Sequence, residues 1–453
     1  MSTLKSITSH VDERYVFSRL GGLAWAGLAT TIYVTIGVVV DRAAGLSAAA
    51  FLIVALFVGL TALSYTELTS LRDAKGRRLV DQPGAAGFAR LGFDELISFV
   101  AAWAVVLDLL LLTAIGAEAF SGYLMSILAE TRERAFLTVL VGIALIVGVG
   151  IRNARGPNLA KGLGVRLLLA LDAVVLGVLA VLLLIESIDQ GLPLVEMTDG
   201  ISLGDVAYAA TIGVVAVTGF ETAATLAGET RLPLDRRIRF LVGLSIGSVV
   251  TLVLAGALGA AHRAELADPN HLEAPVAWLA NALDPPWLAD SLRVLVAVLA
   301  AITLAVSTNG AMLAVARLSS SLATSRQIPA RIGRLNPKYG TPTTVILLVV
   351  VLTSILVSAF DLKGLIGLYA FGALLALTIV HGSLLRLRFT MPDATRRFRV
   401  PLSVPVGPRV GPQSRPCWRC SARSAGGSSS SCSTSEPGSS AWGGCSPASC
   451  STS

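Results

Sequence analysis

Apolar stretches of about 20 residues return along this chain from Leu20 to Leu387, separated by short polar links. That length carries a helix across the hydrocarbon core of a bilayer, and inside lipid every backbone amide must be satisfied within the structure. The repetition therefore predicts an all-α integral membrane protein. Composition agrees: 54% of the residues are hydrophobic and 14% charged, against roughly 25% charged in soluble domains. The net charge of +7 does not suggest nucleic acid, because the Lys and Arg residues lie between apolar stretches and form no continuous patch. The opening nineteen residues are polar and mixed in charge, so no cleavable secretory leader is expected.

About ten spans are expected. They run near Leu20–Val40, Leu46–Leu71, Glu95–Leu128, Ala135–Ile151 and Leu163–Ile185, then from Val206 onward, then Phe240–Ala261, Leu288–Leu322, Thr343–Phe360 and Leu365–Leu387. Lys and Arg collect at the start and after spans two, four, six, eight and ten; the link after span five carries acids. This alternation follows the positive-inside rule at each link. It predicts a multi-pass protein of the cell membrane with a cytoplasmic N-terminus. The link after span two holds Gln82-Pro-Gly-Ala-Ala-Gly87, read as a turn.

The expected organisation is a cytoplasmic N-terminus over 1–19 and a transmembrane core over 20–400, with one repeat near 20–190 and a second near 200–390. Residues 401–453 form an atypical low-complexity tail rich in Ser, Cys, Gly, Arg and Pro. All five cysteines fall there, and such a mixture is what a GC-rich gene read out of frame produces. Cys417 and Cys420 have CxxC spacing without a second ligand pair, so neither metal nor redox cofactor is expected.

One stretch stands apart from the spans around it. Ala216-Val-Thr-Gly-Phe-Glu-Thr-Ala-Ala-Thr-Leu-Ala-Gly-Glu-Thr-Arg-Leu-Pro233 follows an apolar run and places Glu221 at membrane depth. Ionisable groups at that depth are costly and mark functional positions. Glycine beside small polar residues suits a helix broken in mid-membrane, where bare backbone lines a cavity.

Several blocks together resemble the amino acid–polyamine–organocation (APC) superfamily, and within it the amino acid permeases. They are Ala29-Thr-Thr-Ile-Tyr-Val-Thr-Ile-Gly37, Ala62-Leu-Ser-Tyr-Thr-Glu-Leu68, Gly219-Phe-Glu221, Gly228-Glu229, Asn336-Pro-Lys-Tyr-Gly-Thr-Pro342 and Arg397-Phe-Arg-Val-Pro401. The resemblance covers about Leu20 to Val406. It implies five-helix repeats of inverted topology (APC/LeuT-like) with helices one and six broken. An amino acid would sit between the breaks. Ala29, Thr30 and Thr31 would face its carboxylate, the carbonyls of Ala216, Val217 and Thr218 its ammonium, and Phe220 would close over it, with Gly219 and Glu221 in the same binding stretch. Two glycines usual in helix one are Ala29 and Thr31 here, and neither adopts positive φ as easily as glycine.

The remaining polar residues have bland and sharp readings. Glu221 either holds the broken helix by hydrogen bonds or serves substrate or proton. Asp108 matches a position often acidic in family helix three and is a coupling candidate. Arg166 lies near a family lysine of helix five, but arginine is not deprotonated, so there it would be a fixed cation. Asp172 reads as an ion-pair partner within the bundle, with Arg166 nearest in sequence. Ser307, Thr308 and Asn309 suit helix packing or, less directly, a sodium site. Glu67 and Glu229, at cytoplasmic helix ends, read as partners of neighbouring arginines or as helix caps. His262, His271 and His381 form no metal pattern, and no nucleophile or nucleotide motif supports an enzyme.

The expected function is secondary active transport of amino acids or related amines by alternating access, coupled to a proton, with sodium the weaker alternative. An amino acid/amine exchanger and a non-transporting sensor are the rivals, and a homodimer is compatible with the chain.

Overall fold

The computed structural model describes residues 25–73, 79–80, 84–128, 134–156, 163–195, 200–214, 234–266, 269–324, 327–329, 333, 335–336, 339–392 and 394–400. Helices dominate: α1 (residues 25–43), α2 (Ser47–Ser70), α3 (Ala85–Gly92), α4 (Glu95–Leu128), α5 (Arg134–Ala154), α6 (Leu163–Asp189) and α7 (Leu203–Gly213) come first. They are followed by α8 (Leu234–Ala261), α9 (Pro275–Leu279), α10 (Pro286–Thr324), α11 (Thr343–Ala359) and α12 (Leu362–Thr390). Two short strands, β1 (Leu71–Arg72) and β2 (Thr395–Arg396), pair antiparallel with Leu71 opposite Arg396.

Among the described residues, seven helical runs are long and apolar enough to cross a membrane; the first, Trp25–Ser70, contains both α1 and α2 around a 3-10 turn at Ala44–Leu46. Ala44 takes a φ of 44° there, the left-handed conformation that lets a chain reverse sharply. Helix starts follow their sequence signals. Asp94 accepts from the Ile97 amide and Asp361 from the Gly364 amide. Ser202 and Asp205 close a reciprocal capping box. Pro275 and Pro286 open α9 and α10, where the missing N–H costs nothing. The structure corrects one expectation: Ala85, Ala86 and Gly87 open the helix α3 rather than a turn.

The helices are apolar outward and polar inward. Leu52, Ile53, Leu56 and Leu60 of α2 are exposed, whereas Thr61, Ser64, Thr66 and Glu67 are buried. In lipid the apolar face needs no partner, and buried hydroxyls satisfy themselves on their own helix: Thr66 donates to Ala62 and Ser64 to Leu60.

Packing follows a two-fold pattern. A Cβ on Gly256 would strike Phe51 and one on Gly59 would meet Val249, so α2 and α8 run antiparallel. Gly116 approaches Thr308 while Val106 clusters with Leu322, so α4 and α10 do the same. Gly142 meets Val357 and Gly150 meets Val350, which pairs α5 with α11. Counted as spans, the second packs on the seventh, the third on the eighth and the fourth on the ninth. An axis in the membrane plane relating two inverted five-helix repeats generates this set of pairs. Glycines at the crossings allow the close approach.

Candidate functional site

The interior polar site forms where α1, α4, α6 and α10 meet. Its centre is Asp172 on α6, 1% exposed. Trp25 Nε1 donates to one carboxylate oxygen at 2.8 Å and the Tyr33 hydroxyl to the other at 2.5 Å. Thr303 of α10 lies beside the same carboxylate. Trp25 and Tyr33 are eight residues apart on α1, so they lie about 12 Å apart along its axis and reach the carboxylate from above and below.

A second set of bonds continues from Tyr33. Its backbone carbonyl accepts from the Tyr123 hydroxyl of α4 at 3.0 Å, and that hydroxyl accepts from the Val276 amide of α9 at 3.2 Å. The two tyrosine rings meet edge to face, 5.3 Å between centroids, a favoured arrangement for aromatic pairs. The middle of α1 is thus held by α6, α4 and α9 through buried polar contacts. An ionised carboxylate only accepts hydrogen bonds. Once protonated, Asp172 needs one acceptor, and the Tyr33 hydroxyl can turn to provide it; the Trp25 N–H cannot.

The residues expected from sequence are distributed as follows. Ala29, Thr30 and Thr31 are buried in α1. The helix runs through them without a break: Thr30 donates to Ala26, Thr31 to Gly27 and Thr35 to Thr31. Their amides are therefore engaged, in contrast to the open backbone expected at these positions. Ala and Thr in place of glycine are at ease in helical φ and ψ, which accounts for the difference. Ala216, Val217, Thr218, Gly219, Phe220, Glu221 and Glu229 lie outside the described residues, which leave α7 at Gly213.

Asp108 is 3% exposed on α4, with one carboxylate oxygen pressed against Gly372 of α12. Arg166 belongs to α6, but its side chain lies outside the described residues. Asp172 was expected in an ion pair with Arg166, whose side chain lies outside the described residues; among those described, Trp25 and Tyr33 donate to it. Ser307, Thr308 and Asn309 are buried on α10, with Thr308 donating to Leu304 and facing Gly116. His262 contacts Ser187, His271 stacks on Trp278, and His381 sits between Thr61 and Ser64. Sequence reasoning missed Trp25, Tyr33, Tyr123 and Thr303. The available signal was a Trp or Tyr within a span, whose polar tip needs a partner once buried.

A further cluster closes the opposite end of α2. Glu67 is fully buried and accepts from Arg388 Nε at 3.1 Å and Nη2 at 2.6 Å. The Val400 amide donates to it at 2.9 Å, and Arg396 Nε lies at 3.5 Å. Glu67 thus pairs with arginines, but with ones distant in sequence rather than its neighbours. Residues 395–400 tie three helix ends together. Arg396 also donates to the carbonyls of Leu387 on α12 and Met391 just beyond it, and Arg397 pairs with Asp235 at the start of α8.

Inverted repeats, apolar outer faces and a polar interior define a multi-pass α-helical membrane protein of APC architecture. The family model described as amino acid permease matches residues 16–408, and the chain belongs to that family. No curated protein matches it. Among solved structures it is similar to a nucleobase-cation-symport-1 family transporter in a closed conformation with bromovinylhydantoin bound. That match has 15% identity and a TM-score of 0.47, covering 78% of this chain and 74% of the other. Membership of a permease family makes the chain a secondary transporter rather than an enzyme.

Proposed function

We propose that this permease moves amino acids or related amines across the cell membrane by alternating access, and that a proton drives it through Asp172. The observation that supports this reading is the carboxylate of Asp172, buried at membrane depth and bonded by two side chains of α1. An intramembrane carboxylate facing the bundle interior is a recurring device for moving protons. Here its protonation rearranges the tie between α1 and α6, so proton occupancy acts on a helix that the family uses for substrate. Asp108, Glu221 and Arg166 remain candidates beside it: Asp108 for its burial, Glu221 and Arg166 for their sequence positions. The alternation of basic links supports a cytoplasmic N-terminus.

The test is uptake into proteoliposomes under an imposed pH gradient. Asp172→Asn is expected to abolish concentrative uptake while sparing counterflow exchange, because the amide cannot carry the proton. Undiminished concentrative uptake by Asp172→Asn, with its usual pH dependence, would overturn the coupling role. A second reading has its own support. The unbroken α1 at Ala29–Thr31 offers no free amides there, which suits a sensor that binds without moving its ligand. Ligand-dependent thermal shifts without uptake or exchange would favour that reading, and Thr31→Trp should remove the shift.

A further inference from the structure

Outside the polar site lies a cavity of about 280 Å³ between α1, α6, α8 and α9. Ile32 and Ile36 form one wall, Leu176 and Leu183 a second, Leu254 and Leu258 a third. Among the described lining residues, two carry polar side-chain atoms, Trp25 and Thr251, and both are committed. Trp25 Nε1 donates to Asp172, and the Thr251 hydroxyl donates to the Gly247 carbonyl at 2.7 Å. A water needs two or more polar partners to settle in such a space, and an amino acid needs partners for both charges. The lining therefore excludes water and polar substrate alike and accepts hydrocarbon.

The approach to the cavity identifies which hydrocarbon. Gly177 and Val250, on facing edges of α6 and α8, line it and are exposed. The residues flanking that mouth, Val174, Val178 and Val181 on α6 and Ile246 on α8, are 47–61% exposed. On a membrane span these faces meet lipid, so the recess continues the lipid-facing surface. Its origin is visible in the sequence: Ala173, Gly177 and Ala180 place small side chains on one face of α6, and a Cβ at Gly177 would meet nothing within 4 Å.

The dimensions select a chain. From Ala173 to Leu183 the lining extends about 15 Å along α6, half the roughly 30 Å hydrocarbon core and so the depth of one leaflet. Spread over that length, the volume is narrow, suited to one extended chain. We infer that the groove between α6 and α8 is a binding site for a single acyl chain of a bilayer phospholipid, inserted from one leaflet and packed against α1. The occupant fills the space between α1 and the pair α6–α8, beside the contacts that hold Asp172. The site stands independently of the substrate and coupling proposed above.

The test uses the full chain in nanodiscs of phosphatidylcholine doped with a phosphatidylcholine bearing a mid-chain diazirine. After irradiation, labelled peptides should concentrate at 173–183 and 250–258, above the level on the exposed face of α11 (Leu347, Val351, Ile355). Gly177→Trp fills the mouth. It should cut labelling of 250–258 by roughly tenfold, the effect of about two buried methylenes lost, and leave α11 labelling unchanged. Ala180→Leu should act in the same direction and serves if the tryptophan variant does not fold. Wild-type labelling no denser at α6 and α8 than at α11 would overturn the inference. So would labelling of 250–258 that folded Gly177→Trp or Ala180→Leu leaves unchanged.

Discussion

Glu67→Ala should destabilise the protein by about 3 kcal/mol, because removing one member of a buried ion pair leaves the other charge uncompensated. The structure sets that magnitude. The Glu67 carboxylate is 0% exposed, Arg388 is 23% exposed and Arg396 is 6% exposed. Loss of one partner from such a pair costs about 3–5 kcal/mol in general. Arg388 reaches solvent in part, which favours the lower end. Arg396 does not, and burial already draws its pKa below the usual arginine value against the pull of Glu67. The Val400 amide also loses its acceptor. At about 2 °C per kcal/mol for a large chain, the apparent Tm should fall by roughly 6 °C. Glu67→Gln keeps an acceptor and nearly the same volume, so its fall should be smaller. The assay is thermal unfolding of ligand-free protein in nanodiscs of one lipid composition. An alanine variant melting within about 1 °C of the parent would refute the reasoning. It would mean that the tie between residues 395–400 and α2 carries no stability.

Two further outcomes are expected. Gly116→Ala places a Cβ 2.5 Å from Thr308 Oγ1, whose hydroxyl is held by the Leu304 carbonyl; overpacking of about 1–3 kcal/mol should result, and Thr308→Ala should restore most of the lost Tm. Equal melting of the single and double variants would sink that account. At the start of α7, the hydroxyl and backbone amide of Ser202 hold the Asp205 carboxyl below the usual aspartate pKa. A lowered folded pKa means stabilisation present above the unfolded value and lost as pH falls through the folded one. The cap should therefore persist through the ordinary aspartate range. Ser202→Ala should raise the Asp205 pKa in a carboxyl-detected NMR titration, and an unchanged midpoint would contradict the cap.

Much of the architecture was legible because membrane spans write themselves in length and apolarity. The third span was expected at Glu95–Leu128 and α4 has those bounds. The ninth was expected at Thr343–Phe360 and α11 ends one residue earlier. Local signals were weaker where tertiary contacts override them. Gln82 and Pro83 lie outside the described residues, and Ala85–Gly92, read as part of a turn, forms a helix packed on α4 and α12, with Gly92 against Ser383. The two-residue strands β1 and β2 had no signal, since they exist through their pairing across more than 300 positions.

The interior site shows the same division. Sequence identified Asp172 as a buried carboxylate in a span, because a charge among Leu and Ala residues is visible in one dimension. It did not identify Trp25 and Tyr33 as its partners. Those contacts bridge 147 and 139 positions, and spacing along a helix governs neighbours three or four residues away, not partners on another helix. By itself the sequence determined that this is a bundle of membrane helices of the permease kind, because lipid imposes length and apolarity on each span separately. Tertiary structure decided which buried carboxylate meets α1, which arginines neutralise Glu67, and that small residues on α6 leave a cavity rather than a packed contact. Each of these depends on how helices distant in the chain are rotated and crossed, and that is set by their joint packing.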